Sequence, residues 1–135
     1  MPYGWNWCSL KPVNEGDLKG QNTWEWKFDD GRQITVYRRP AGFVTGHMHS
    51  GIDQSKNPER LLLISGKARI AFYHPDQEDK CVLENICSAI RGPQEITIQP
   101  GTSHRFEAIT DVIYIEYRIT HFDPKNPDTS PMQLP

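Results

Sequence analysis

The 135-residue chain lacks any hydrophobic run long enough to cross a bilayer. Its longest aliphatic stretch is Leu61-Leu62-Leu63-Ile64, against the ~20 apolar residues a spanning helix needs, so no membrane partner is expected. It also lacks a basic excess. Fifteen Lys plus Arg against 17 Asp plus Glu leave a net charge of -2, which argues against a surface for nucleic acid. The opening residues, Met1-Pro2-Tyr3-Gly4-Trp5, carry neither the basic segment nor the apolar stretch of a secretory signal. A cytoplasmic protein is the expectation. Cysteine is scarce: Cys8, Cys81 and Cys87 form no C-x-x-C pair and no even-numbered framework, and read as reduced thiols without assigned chemistry. Cys81 and Cys87 would share one side of a strand, and no disulfide is expected between them.

Helical periodicity is missing too, and what stands in its place is punctuation, with 10 Gly and 11 Pro. Between these breaks the apolar residues alternate. Trp24, Trp26 and Phe28 interleave with Glu25 and Lys27, the pattern of a half-buried strand. Asp30-Gly31 reads as a hairpin turn. Strands are then predicted over residues 33–39, 59–64, 67–73, 81–87, 95–98, 104–108 and 112–119, separated by turns such as Ser65-Gly66, His74-Pro75-Asp76 and Pro100-Gly101. Roughly eight short strands so spaced predict an all-β sandwich or barrel. One barrel over residues 1–122, with an N-terminal strand extension, is expected at this length. Residues 123–135 hold Pro124, Pro127, Pro131 and Pro135 and read as an extended tail.

The histidines carry the functional signal. His47 and His49 form a His-x-His pair, and on a strand both imidazoles face one side. Two neutral imidazoles side by side suit a divalent metal such as Zn, Fe, Mn or Ni. Gly42 precedes the pair, and Glu59 follows with six residues between it and Gly66. Gln99-Pro100-Gly101-Thr102-Ser103-His104 then sets a third histidine just past a Pro-Gly turn.

Over residues 39–119 these features resemble the two motifs of the cupin superfamily. The resemblance implies a jelly-roll barrel with a metal in its mouth, held by His47, His49, Glu59 and His104. In the usual motif three or four residues part the histidine pair from the glutamate, whereas nine lie between His49 and Glu59 here. Gln54 or Asp53 sits at the usual distance, and a three-histidine site completed by water is the third arrangement. Glu59 is preferred, because it opens a strand and because loop length adds closure entropy only slowly.

Outside the motifs, Arg38, Arg69, Glu116 and Arg118 stand at strand positions that can point into the barrel. An inward polar group needs a partner or a ligand, so with Gln54 they are candidate pocket residues; an exposed strand face is the alternative. His74 and His121 read as structural or solvated. Trp5, Trp7, Trp24 and Trp26 exceed what so small an interior can hold, and a homodimer is expected to cover some of them.

A closer resemblance lies in Lys56-Asn57 before Glu59, in Leu61-Leu62-Leu63 before Ser65-Gly66, and in the ending Phe122-Asp123-Pro124-Lys125-Asn126-Pro127-Asp128-Thr129. These look like the C-terminal cupin domain of nucleotide-sugar-processing enzymes of capsular polysaccharide synthesis. That resemblance implies metal-assisted proton transfer α to a carbonyl of a sugar or sugar nucleotide, in the manner of an epimerase or isomerase. An Fe- or Mn-dependent oxygenase and a non-catalytic module for a small ligand such as a carbohydrate are the competing readings, because the fold hosts many chemistries.

Overall fold

The computed structural model describes residues 4, 8–10, 13, 22–49, 55, 58–74, 77–120 and 129–131. Among them are ten strands and no helix: β1 (Asn22–Lys27), β2 (Gln33–Arg39), β3 (Val44–His49), β4 (Glu59–Ser65), β5 (Lys67–His74), β6 (Gln77–Ser88), β7 (Gln94–Ile98), β8 (His104–Ala108), β9 (Val112–Arg118) and β10 (Thr129–Pro131). They form two five-stranded sheets, ordered β1-β2-β9-β4-β7 and β10-β3-β8-β5-β6, and every pairing is antiparallel. This is the all-β architecture expected of the strand spacing, in the jelly-roll form that the resemblance implied.

The core lies between the sheets. Leu61, Leu63, Ile96, Val112 and Tyr114 of the first meet Ala68, Ile70, Phe106 and Ala108 of the second. The alternating burial of β8 and β9 is the signature of strands with one face inward. A tight turn joins β4 to β5 at Gly66, whose φ is +89°. A Cβ there would lie 2.1 Å from the Asp111 carbonyl oxygen, so the close approach of these two segments requires glycine.

Strand parity sets which residues of β1 and β2 face the core. The tryptophan-bearing side of β1 faces outward: Thr23 is the buried residue, and Trp26 is 53% exposed and stacks on Phe28. The inward face of β2 is correspondingly Gln33, Thr35 and Arg39, all buried, while Ile34 and Val36 lie outside it. Two strands, β3 and β10, were not among those predicted. The stretch before Glu59 contains β3, whose Thr45 and His47 break the apolar alternation that marks other strands. Tail residues 129–131 pair with β3, setting Thr129 opposite His49 and Pro131 opposite His47. The sheet therefore takes in residues beyond 122.

Candidate metal centre and its cavity

Register explains how distant residues meet. In the β3–β8 pairing His47 stands opposite His104. In the β4–β7 pairing Glu59 stands opposite Ile98. Across the gap between the sheets, Glu59 Oε2 lies 4.0 Å from His47 Nε2 and 3.8 Å from His104 Nε2. The imidazole rings sit edge to face, with centroids 4.5 Å apart. One ligand atom from each of the three residues lies within 4.8 Å of the others.

This donor set fits a divalent cation. His104 Nδ1 lies 3.0 Å from the Thr102 carbonyl oxygen, and since a carbonyl only accepts, Nδ1 carries the hydrogen. The Nε2 lone pair is thereby turned toward Glu59, as in metal sites where an outer hydrogen bond fixes the tautomer. Two lone-pair donors and a carboxylate converge where bonds of about 2.0–2.2 Å would reach a common centre after small adjustment. Glu59 and His104 are each 3% exposed, whereas the His47 side chain is 22% exposed and marks the side open to water.

The insertion between the motifs leaves Glu59 on its strand. Within it, buried Ser55 accepts hydrogen bonds through Oγ from the backbone N–H groups of Ile119 and Thr120, at 3.0 and 3.1 Å. This ties Ser55 to the residues that follow β9. Gln54 and Asp53, the Glu59 alternatives, lie outside the described residues, as do His121 and the side chain of His49.

Behind the three donors is a cavity of about 210 Å³. Its walls descend in rows set by strand register. Thr45 and Phe106 follow the histidines, with Leu61 and Glu116 opposite, and Tyr37, Phe43 and Tyr114 come next. Arg39 closes the far end, packed over the rings of Tyr37 and Phe43 at 5.0 and 5.3 Å. Its Nη1 donates to the Asn22 carbonyl and its Nη2 to Thr23 Oγ1, both at 2.9 Å. Tyr37 and Tyr114 are partners across β2 and β9, with rings stacked at 4.7 Å. Burial, reinforced by nearby Glu116, pushes the Tyr37 hydroxyl well above its ordinary pKa, so it stays protonated.

Of the four charged pocket candidates, Glu116 lines the cavity. Arg118 is 2% exposed but stands beside it: its Nη1 is 3.6 Å from Glu116 Oε1 and its Nε donates to the Thr120 carbonyl at 3.3 Å. Arg38 and Arg69 do not line the cavity. Arg38 shares the outer face with Val36, hydrogen-bonds Asn22 and covers the ring of Trp24. Arg69 sits between the inward Ala68 and Ile70, and pairs outside with Glu84 and Glu107 at 2.8 and 3.0 Å. His74 ends β5, half-buried. Sequence reasoning missed Tyr37 and Arg39 because it directed Arg38 inward, and neighbouring residues of a strand face opposite sides. The signal available was the neighbouring run of aromatic residues in β1, which claims the face of Arg38.

No protein-family model and no curated protein sequence matches the chain. Solved structures do. The capsular polysaccharide assembling protein CapF from Staphylococcus aureus superposes with a TM-score of 0.73 at 26% identity, over 99% of this chain and 34% of that one. A variant of oxalate decarboxylase from B. subtilis gives 0.59 at 14% identity, over 91% and 30%. KdgF from Halomonas sp. gives 0.53 at 11% identity, over 79% and 87%. The chain thus spans about a third of the CapF chain. The last two likenesses are of fold.

Proposed function

We propose that the chain, which resembles CapF at 26% identity, is a cupin that binds a divalent metal through His47, His49, Glu59 and His104 and acts on a sugar or sugar nucleotide. The reaction is of the epimerase or isomerase type, with proton transfer α to a carbonyl. What carries this reading is the convergence of His47, Glu59 and His104 at the head of a small cavity. Bound there, a divalent ion supplies Lewis acidity that draws electrons from a carbonyl oxygen and acidifies the adjacent C–H.

The chain's own residues do the rest. His104, fixed by Thr102, and Glu59 hold the head of the cavity. Aromatic and aliphatic walls, among them Phe43, Phe106, Leu61 and Ile98, exclude water and give a sugar ring apolar faces to lie against. Tyr37, kept protonated, is a hydrogen-bond donor to a ligand oxygen. The cavity volume suits one small ring, so a nucleotide attached to the sugar lies at the mouth, on the His47 side. CapF is described as a capsular polysaccharide assembling protein, and precursors of that kind are the substrate class inferred here. A cytoplasmic homodimer completes the reading.

The test is solvent exchange. Zinc-loaded protein in deuterium oxide, given a nucleoside-diphosphate keto-hexose, should place deuterium on the carbon next to the carbonyl. Oxygen consumption by iron-loaded protein, or sugar binding with no turnover, would instead support an oxygenase or a binding module.

A further inference from the structure

We propose that Glu116 is the group that takes the proton in this reaction, positioned by Arg118; the inference rests on the isomerase reading above. Among the described residues lining the cavity, the ionisable ones outside the metal-binding set are Tyr37, Tyr114, Arg39 and Glu116. Arg39 is a cation, and a phenol is a weak acid that holds its proton near neutral pH. The Glu116 carboxylate is the remaining ionisable side chain of this lining, and an ionised carboxylate offers a lone pair to a proton.

Its place fits the task. Glu116 stands opposite Leu61 on the inward face, and Leu61 is two residues along β4 from Glu59. Two residues of strand advance about 6.6 Å, so Glu116 lies one row deeper than the donor cluster. A ketone whose oxygen points at His47, Glu59 and His104 carries its α carbon inward from there. One row is the reach of that carbonyl group plus a single proton-transfer contact of about 3 Å.

Arg118 acts on Glu116 rather than on the ligand. It does not line the cavity, yet its Nη1 lies 3.6 Å from Glu116 Oε1. It is anchored in turn by the Thr120 carbonyl, whose own residue is held by Ser55. A guanidinium so fixed keeps the carboxylate aimed between turnovers. In the step itself the C–H bond α to the carbonyl breaks and its proton forms an O–H bond on Glu116. The freed electron pair forms C=C while the carbonyl pair moves to oxygen. Return of a proton to that carbon, from Glu116 or from water entering past His47, regenerates the ketone.

The experiment repeats the deuterium exchange with the same nucleoside-diphosphate keto-hexose, using the full chain and zinc-loaded variants, and reads metal content and probe binding alongside. Glu116→Gln should lose at least about 100-fold in exchange rate, in line with removal of a general base, while keeping its metal and its affinity for the probe. Glu116→Asp, which keeps the carboxylate, should fall between the two. Arg118→Lys should lower the maximal exchange rate while leaving the metal content and the half-saturating probe concentration unchanged. Exchange by Glu116→Gln at the wild-type rate would overturn the assignment and leave the isomerase reading standing. No exchange in the wild type would overturn both. Should Glu116→Gln fail to fold, a Glu116→Asp variant that exchanges at the wild-type rate, its pH profile unmoved, counts against the proposal.

Discussion

At the scale of single residues, parity decides what the site contains. A strand turns alternate side chains to opposite faces, so choosing the wrong phase exchanges Arg38 for Arg39 and Val36 for Tyr37. Glu116 and Arg118 were legible because they continue the phase of Val112 and Tyr114. The phase of β2 was not, because its inward residues are polar and its outward ones apolar. Tyr37 makes this testable. Burial raises its pKa above 10.0, so the folded chain binds that proton more tightly than the unfolded chain does. The associated stability is intact below the unfolded value near 10 and is lost as pH rises through the folded value. Urea midpoints of the wild type should therefore fall above about pH 10, and Tyr37→Phe should flatten that fall. An unchanged slope in the variant would remove Tyr37 as its source.

Among the elements, those with apolar alternation or a Gly-Pro break were legible from sequence: residues 33–39 and 104–108 coincide with β2 and β8. β3 was hidden because its inward positions are given to Thr45 and His47, and β10 because three residues of a proline-rich tail carry no periodic signal. Ahead of β4, the Ser55 hydroxyl serves two backbone donors. Ser55→Ala should cost about 1–3 kcal/mol in denaturant unfolding, the penalty for stranding buried polar groups. A variant as stable as the wild type would show that the loop is anchored elsewhere. Leu63, fully buried in β4, should cost about 2–5 kcal/mol when truncated to Ala. Gly66→Ala should destabilise as well, through the contact with Asp111 and the left-handed backbone.

For the whole molecule, the outward face of the β1-β2-β9-β4-β7 sheet is apolar over Trp24, Ile34, Val36, Ile113 and Ile115, all half-buried, and exposes half of Trp26. We take this face to pack in a homodimer, so light scattering at micromolar concentration should report about twice 15.6 kDa; a monomer would contradict it. Metal binding ties together β3, β4 and β8, strands drawn from both sheets. Chelation should therefore lower the melting temperature by mass action, and His104→Ala should remove that sensitivity.

The central claim is that Glu59, on a strand and beyond a long insertion, completes a metal site with the histidines. Elemental analysis of protein purified without chelator or metal-affinity tag tests it most directly. Wild-type chain should carry a divalent metal in stoichiometric amount, Gln54→Ala should keep it, and Glu59→Ala should lose most of it. A metal-free wild type, or full occupancy in Glu59→Ala with loss in Gln54→Ala, would contradict the account.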